Sequence, residues 1–313
     1  MLSRIADSLY WMNRYMERTE GILRILRTHY VLSLDKGQYG VNSWKPVVKL
    51  FSTRADPEAA EFEYNSLHTI NHILLNAENN NSIKVILGRA RENARGAQDI
   101  ITKEVWEQIN HLFHTINNPI LVQRFTGTDP LAALDQLLDS ALLFSGVTDS
   151  TMPRNMGWNF MNLGKFIERC LITVELSDMN FEEGDYNLSV NRDILFWRSL
   201  LFSLSGYELH LKTYRSSNYT NSVANQVIFN KQFTHSLVYC ADRIRYYLYK
   251  IIEDNRPEGA DHLLKHFGRL HSYIAFADME TVKQEGLKEF FARIRQDLLQ
   301  LNRNLGQQFF SYS

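Results

Sequence analysis

The sequence predicts an all-α protein, a single large helical bundle built from two pseudo-symmetric repeats. Three observations carry that reading. Apolar residues recur every three to four positions through most of the chain, and no convincing alternating strand pattern interrupts them. Most of the six prolines stand where a helix should start or stop. A seven-residue pattern near the N-terminus also returns at about mid-chain.

Helices are expected over 2–34, 43–52, 57–76, 82–100, 103–117, 130–146, 153–180, 190–213, 233–254 and 258–278, with a last one over about 284–308. The first has Leu2, Ile5, Leu9, Met12, Met16, Leu23 and Leu26 on one side. Ile83, Ile86, Leu87, Ala90, Ala94, Ala97 and Ile101 form a second stripe. Leu131, Leu134, Leu138, Ala141 and Leu142 form a third, and Met156, Phe160, Leu163, Ile167, Leu171 and Val174 a fourth. Asp56-Pro57-Glu58 and Asp129-Pro130 place a capping carboxylate ahead of proline at the first helical position, where a missing N–H costs nothing. Met152-Pro153 and Arg256-Pro257-Glu258 mark further boundaries. Asp35–Asn42 and Asn76–Asn81 read as polar connections, and the Ser/Asn/Thr-rich stretch Tyr214–Gln232 as a loop with at most one helical turn.

The repeat rests on three matches in the same order and at nearly the same offset. Met12-Asn13-Arg14-Tyr15-Met16-Glu17-Arg18 answers Leu163-Gly164-Lys165-Phe166-Ile167-Glu168-Arg169 position by position. Trp44-Lys45 answers Trp197-Arg198, and Ser82-Ile83 with Arg89-Ala90-Arg91 answers Ser236-Leu237 with Arg243-Ile244-Arg245. One domain over 1–313, with repeats of roughly 1–150 and 151–313, is the resulting expectation. Equal halves of this kind tend to pack about a pseudo-two-fold axis.

Composition excludes several function classes. The chain has 313 residues, 44% hydrophobic and 22% charged, with 34 Lys plus Arg against 35 Asp plus Glu. It has ample apolar residue for a core, and a net charge of −1 argues against a phosphate-backbone binder, so no nucleic-acid partner is expected. Two cysteines, Cys170 and Cys240, suit a reducing compartment. Charges within the first twenty residues leave no signal-peptide core, and no apolar run approaches a membrane span, so a cytoplasmic protein without a membrane partner is expected.

The two Glu-Arg pairs are the central charged motif. Arg18 stands opposite the main stripe of its helix, among Trp11, Ile22 and Ile25; Arg169 stands likewise among Trp158, Ile172 and Leu176. Both helices therefore read as apolar on two sides, and an arginine held there needs carboxylate or carbonyl partners because it cannot lose its proton. Arg14 at i−3 reaches Glu17, as Lys165 reaches Glu168. Reciprocal pairs, Glu17 with Arg169 and Glu168 with Arg18, are the stronger expectation, and losing one partner of a buried pair costs on the order of 3–5 kcal/mol. Fixing helix register and binding a ligand remain equal alternatives for this motif.

The opening Leu2-Ser3-Arg4-Ile5-Ala6-Asp7-Ser8-Leu9-Tyr10-Trp11-Met12-Asn13-Arg14-Tyr15-Met16-Glu17-Arg18-Thr19-Glu20 resembles the bacterial alpha-E family, named for a helical domain with a Glu-Arg motif. Ala90-Arg91-Glu92-Asn93-Ala94-Arg95-Gly96, Asp149–Trp158, Leu163-Gly164-Lys165 and Ile167-Glu168-Arg169 extend the likeness along the chain. Asn13 stands where the family's opening motif has glycine. The resemblance implies association with a circularly permuted ATP-grasp ligase, with a transglutaminase-like protein and a proteasome-like peptidase as further associates. It points to peptide-bond synthesis or peptide tagging as the context.

Other clusters are weaker. Arg91 and Arg95, one turn apart with Lys84 on the same side and Glu92 on the opposite flank, have the spacing to hold a carboxylate or phosphate. Arg154 and Asn155 beside Trp158, at a helix start, add donors for an anion. His68 with His72, His111 with His114, and His262 with His266 and His271 lack the acidic residues of a di-iron bundle or zinc protease, so no metal and no cofactor are expected. No nucleophile-elbow, Cys-x-x-Cys or phosphate-loop pattern occurs. Ser150 and Thr151 read as residues that cap or precede a helix, Cys170 as a core thiol, and Tyr246, Tyr247 and Tyr249 as an aromatic cluster in core or interface.

The sequence thus points to a non-enzymatic helical accessory domain of a peptide ligase system. Glu17, Arg18, Glu168 and Arg169 would organise its centre, and Arg91 and Arg95 would meet an acidic group. The rival is an enzyme acting on a small molecule or peptide, with Glu17 or Glu168 as acid or base. Burial would raise such a carboxyl's pKa, while a close arginine works the other way. A purely structural dimerising bundle is the third reading.

Overall fold

Helix ends in this protein are set largely by short polar side chains that accept the first free backbone N–H groups. The computed structural model describes residues 3–35, 43–51, 62, 64–127, 129–215, 217–255 and 259–310. Among them are fifteen α-helices and no strand, so the protein is all-α. The helices are α1 (Ser3–Ser33), α2 (Lys45–Phe51), α3 (Ser66–Leu75), α4 (Ile83–Gly96), α5 (Lys103–Ile116), α6 (Pro119–Thr126), α7 (Pro130–Thr151) and α8 (Met156–Glu182). There follow α9 (Ile194–Ser203), α10 (Tyr207–Thr213), α11 (Tyr219–Phe229), α12 (Leu237–Asn255), α13 (Ala260–Ala275), α14 (Met279–Glu285) and α15 (Leu287–Phe309). The boundaries expected at Asp56-Pro57-Glu58 and Arg256-Pro257-Glu258, and most of the Asp35–Asn42 connection, lie outside the described residues.

The chain divides into two units, Trp11–Pro153 and Arg154–Ser313 together with Met1–Tyr10. In the first, α4 packs on α5, α5 on α7, and α3 on α4 and α6, while α6 lies on α7. The α4 stripe is buried from Ile83 to Ala97, because a helix with apolar groups at this period hides one face against its neighbours. Asp129 caps α7, its Oδ1 accepting from the Ala132 N–H at 3.1 Å, with Pro130 at the first helical position. An Arg27–Asp135 ion pair ties α1 to α7. In the second unit α8 packs on α9, α12 and α15, α12 on α11 and α13, and α13 and α14 on α15. Phe160, Phe181, Trp197, Phe267, Phe290 and Phe291 fill its core. Tyr10 donates to Asn302 Oδ1 at 2.7 Å and packs on Phe310.

Each unit repeats one local device. Asn76 Oδ1 accepts from the Glu78 N–H at 2.9 Å, and Ser82 Oγ from the Val85 N–H at 3.4 Å, which starts α4. In the other unit Asn230 Oδ1 accepts from the Gln232 N–H at 2.9 Å, and Ser236 Oγ from the Tyr239 N–H at 3.1 Å, which starts α12. The Trp pairing is looser: Trp44 precedes α2, whereas Trp197 lies inside α9.

Several expectations need correction. The stretch Tyr214–Gln232 contains a helix, α11, capped by Asn218, whose polar composition conceals a buried face of Val223, Ala224, Val227 and Ile228. The helix expected over 190–213 is two, broken where Ser205 takes φ 55° ahead of Gly206. The short helices α6 and α14 were not foreseen, although Asn118-Pro119 carries the same cap-and-proline signature as Asp129-Pro130. Helix α7 runs on to Thr151, so Ser150 and Thr151 are its last residues, and Leu142 on it is exposed. The same helix is long and apolar enough by composition to cross a membrane, so among the described residues one apolar run does approach that length.

Gly206 leaves room for a buried polar knot. Gln226 Nε2 donates to the Gly206 carbonyl at 2.8 Å, and its Oε1 accepts from His210 Nδ1 at 2.8 Å. A Cβ on Gly206 would lie 2.7 Å from Gln226 Nε2 and 2.8 Å from the Phe233 ring. Gly206→Ala is therefore expected to destabilise the protein by about 1–3 kcal/mol in urea denaturation, since a packed core does not yield to an added methyl group.

His29 is buried against Trp44, and burial lowers its pKa to about 4. The unfolded chain takes up this proton below the ordinary value of 6.5 and the folded one does not, so stability falls as the pH drops from 6.5 towards 4. The loss at pH 5 relative to pH 7.5 is expected to be about 2 kcal/mol from this residue. Denaturation curves at the two pH values should show that component vanish in His29→Phe.

Candidate functional site

The two Glu-Arg motifs are each bedded in their own unit. On α1, Arg14 and Glu17 are buried, Arg14 lying over the Trp11 ring with its guanidinium carbon 4.5 Å from the centroid. Arg18 is half-buried and donates to Asn81 Oδ1 at 3.2 Å, in the turn that precedes α4. Glu20 pairs with Arg24 at 2.5 Å one turn on. Helix α1 is buried on two sides, with Leu23 and Leu26 on one and Ile22 and Ile25 on another. Arg14, Glu17 and Glu20 therefore sit in the body of the unit.

On α8, Glu168 is 2% exposed and Arg169 9%. The Arg169 guanidinium lies 5.4 Å from the Phe166 centroid. Lys165 is half-buried on the same helix. Asn155 caps α8, its Oδ1 accepting from the Trp158 N–H at 3.3 Å, so that backbone donor is already used. Arg154 stacks over Trp158 at 3.6 Å, where the flat guanidinium meets the indole face.

The Arg91 and Arg95 pair behaves differently from expectation. Glu92, placed on the opposite flank by helical spacing, has its carboxylate 3.7 Å from Arg91 and 3.6 Å from Arg95. Long side chains wrap around the helix, so the acid that meets the pair comes from the same helix. Arg91 also reaches α5, where its Nε donates to Asn110 Oδ1 at 2.7 Å and its head lies over Phe113 at 4.9 Å. Asn110 is held in turn by its Nδ2, which donates to the Trp106 carbonyl.

Sequence reasoning missed a cluster around Arg243. Arg243 on α12 entered only as part of the repeat, yet its guanidinium carbon lies 5.6 Å from Phe166, 5.2 Å from Tyr246 and 4.9 Å from Tyr247. Its Nη2 donates to the Tyr247 hydroxyl at 2.6 Å. Phe166 stacks on Tyr247 at 6.0 Å with 15° between planes. Burial pushes the Tyr247 hydroxyl's pKa up, opposed by the positive charges of Arg243 and Arg154. The tyrosine triplet itself divides: Tyr247 is buried, while Tyr246 and Tyr249 are about half exposed. The signal available was the triplet together with an arginine three and four residues before two of its members.

This family resemblance is matched by a direct comparison. Residues 1–310 fit the family described as Alpha-E, "a predicted alpha-helical domain with a conserved ER motif". The chain belongs to the Alpha-E family. Within this member the Glu-Arg sequence occurs at Glu17-Arg18 and at Glu168-Arg169. Similar relatives are uncharacterised proteins of Mycobacterium bovis and Mycobacterium tuberculosis, each 22% identical over 320 aligned residues. The alignment covers 93% of this chain and 34% of theirs, so the chain spans about a third of the length of the curated relatives it matches. No solved structure matches it.

Other candidate chemistry finds its place in the packing. His68 and His72 both rest on Phe62, at 4.7 and 4.6 Å. His271 Nε2 meets Asp242 Oδ1 at 2.7 Å, and His266 lies 4.0 Å from Asp297. Among the described residues no three His, Cys, Asp or Glu side chains converge as metal ligands would. The Cys170 thiol, hydrogen-bonded to Cys240 and fully buried, has its pKa raised well above the usual value. A thiol so placed is not poised as a thiolate nucleophile.

The Arg91 contacts predict an ordering of variants in thermal denaturation. Arg91→Lys should cost about 1 kcal/mol, because charge is kept and the Asn110 bond and ring contact are lost, and Arg91→Ala about 2 kcal/mol. Glu92→Gln should change stability by less than about 0.5 kcal/mol, as an exposed ion pair contributes little.

Proposed function

We propose that this Alpha-E chain is a non-enzymatic accessory domain of an ATP-grasp-type peptide ligase or peptide-tagging system, binding the ligase, an acidic or peptide ligand, or both. The observation that carries the reading is the coverage of the relatives: a stretch matching nearly the whole of this chain makes up about a third of theirs. A domain found within longer chains is suited to working against a second module, whether fused or separate. The family resemblance supplies the identity of that module, a circularly permuted ATP-grasp ligase. Transglutaminase-like and proteasome-like proteins would act elsewhere in the same system.

The charged residues support a binding role over a catalytic one. Arg91 and Arg95 share Glu92, Arg154 is stacked on Trp158, and Arg169 and Arg243 lie over Phe166. Arginines seated on rings and acids hold fixed positive charge, which suits recognition of an anion. Glu17 and Glu168 are buried, and each directly precedes an arginine in sequence. In this reading the Glu-Arg motifs hold the helices in register, and the more exposed arginines do the recognition.

Co-purification from the native host, followed by mass spectrometry of proteins and bound peptides, tests the proposal. An ATP-grasp ligase should be recovered with the chain, and the isolated chain should show no turnover of peptides or amino acids. Absence of any ligase, together with turnover by the chain alone, would overturn it.

A further inference from the structure

We propose that Arg243 is the anchor of a carboxylate-binding site on the second unit, one that takes a small acid with a flat apolar or aromatic body. The site stands on the surroundings of Arg243 and does not depend on the accessory reading. Arg243 is half-buried, on the face of α12 that meets α8. Its guanidinium is framed by Phe166, Tyr246 and Tyr247, all within 5.6 Å. One bond is made, from Nη2 to the Tyr247 hydroxyl at 2.6 Å. Nε is buried and has no hydrogen-bond acceptor.

Among the described residues no carboxylate pairs with this cation. Asp242, its sequence neighbour, faces His271 at 2.7 Å and lies 4.0 Å from Arg245. Two further cations act on the same rings. Arg169 lies 5.4 Å from the same Phe166 ring, and Arg154 acts on Tyr247 from the start of α8. A guanidinium set among rings, as that of Arg243 is, gives up part of its hydration. A buried donor left without an acceptor adds a further cost. An arriving anion would answer the charge of Arg243 through its outer nitrogens.

The geometry also selects the kind of anion. A guanidinium fork matches the two oxygens of a carboxylate in one plane, and its stacking on rings holds that plane fixed. Tyr246 is about half exposed, so its ring offers a flat wall at the mouth of the site. A planar acid can lay its body on that wall while its oxygens meet Arg243. A phosphate has the charge but presents no flat body to the ring.

Isothermal titration of the full chain at neutral pH with benzoate, its neutral counterpart benzamide and inorganic phosphate tests the assignment. Benzoate should bind saturably and raise the melting temperature, and benzamide should do neither. Arg243→Gln should weaken benzoate by about tenfold or more, as expected when a charge-assisted fork is removed. Arg243→Lys, which keeps the charge without the fork, guards against misfolding of the first variant and should also bind more weakly than the parent. Tyr246→Ala, at the exposed wall, should weaken benzoate and leave the melting temperature of the ligand-free protein close to the parent's. Equal binding of benzamide, tighter binding of phosphate, unchanged affinity in both Arg243 variants, or no benzoate binding at all would each overturn the assignment.

Discussion

Burial of arginine on helices that are apolar on more than one side is the constraint from which the rest of this structure follows. Arginine keeps its proton under any condition the protein meets, so a helix that carries one inward must supply a setting for a permanent cation. Here that setting is most often an aromatic ring. Arg14 lies on Trp11, Arg91 on Phe113, and Arg169 with Arg243 on Phe166. Ring faces cushion positive charge without neutralising it, so the protein keeps cationic points in partly sheltered places. Surface ion pairs, by comparison, are a minor source of order.

That solution divides the labour between acids and bases. Glu92 meets Arg91 and Arg95 from the same helix, and Glu20 meets Arg24 one turn on; these pairs steady a local stretch of helix. Some contacts beyond a single helix are made by a cation and an amide, as in Arg18 with Asn81 and Arg91 with Asn110, beside the Arg27–Asp135 ion pair between α1 and α7. An amide has both donor and acceptor and carries no charge to desolvate, which makes it a less costly bridge than a carboxylate in a packed place.

Much of the fold was legible because burial imposes a period on helices. The α4 stripe from Ile83 to Ala97 is buried throughout, and the Asp129-Pro130 start of α7 follows from capping chemistry alone. The failures have physical causes as well. Helix α11 hides behind Ser, Thr and Asn side chains because its polar flank is rich in turn-forming residues, while only Val223, Ala224, Val227 and Ile228 mark its inner face. The break between α9 and α10 falls at Ser205, and the Gly206 carbonyl beside it is met by Gln226 of a later helix, a contact that no local spacing displays. For the candidate site, the Glu-Arg motifs and the Arg91–Arg95 pair could be read as short-range patterns. The Arg243 cluster was legible only in part: Tyr246 and Tyr247 follow Arg243 by three and four residues, while no spacing on α12 reveals the Phe166 ring of α8.

The choice of residue at helix starts has a consequence for acid conditions. Asparagine begins α3, α6, α8 and α11, whereas aspartate begins α7, α9 and α14. An amide keeps its accepting oxygen at any acidity, while a carboxylate that takes up a proton becomes a poorer acceptor and loses its attraction to the positive end of the helix. Asp278, whose carboxyl is held below its ordinary range by the backbone and hydroxyl donors of Thr281, therefore ties the first turn of α14 to its charged form, while α8 begins on an amide that has no such dependence.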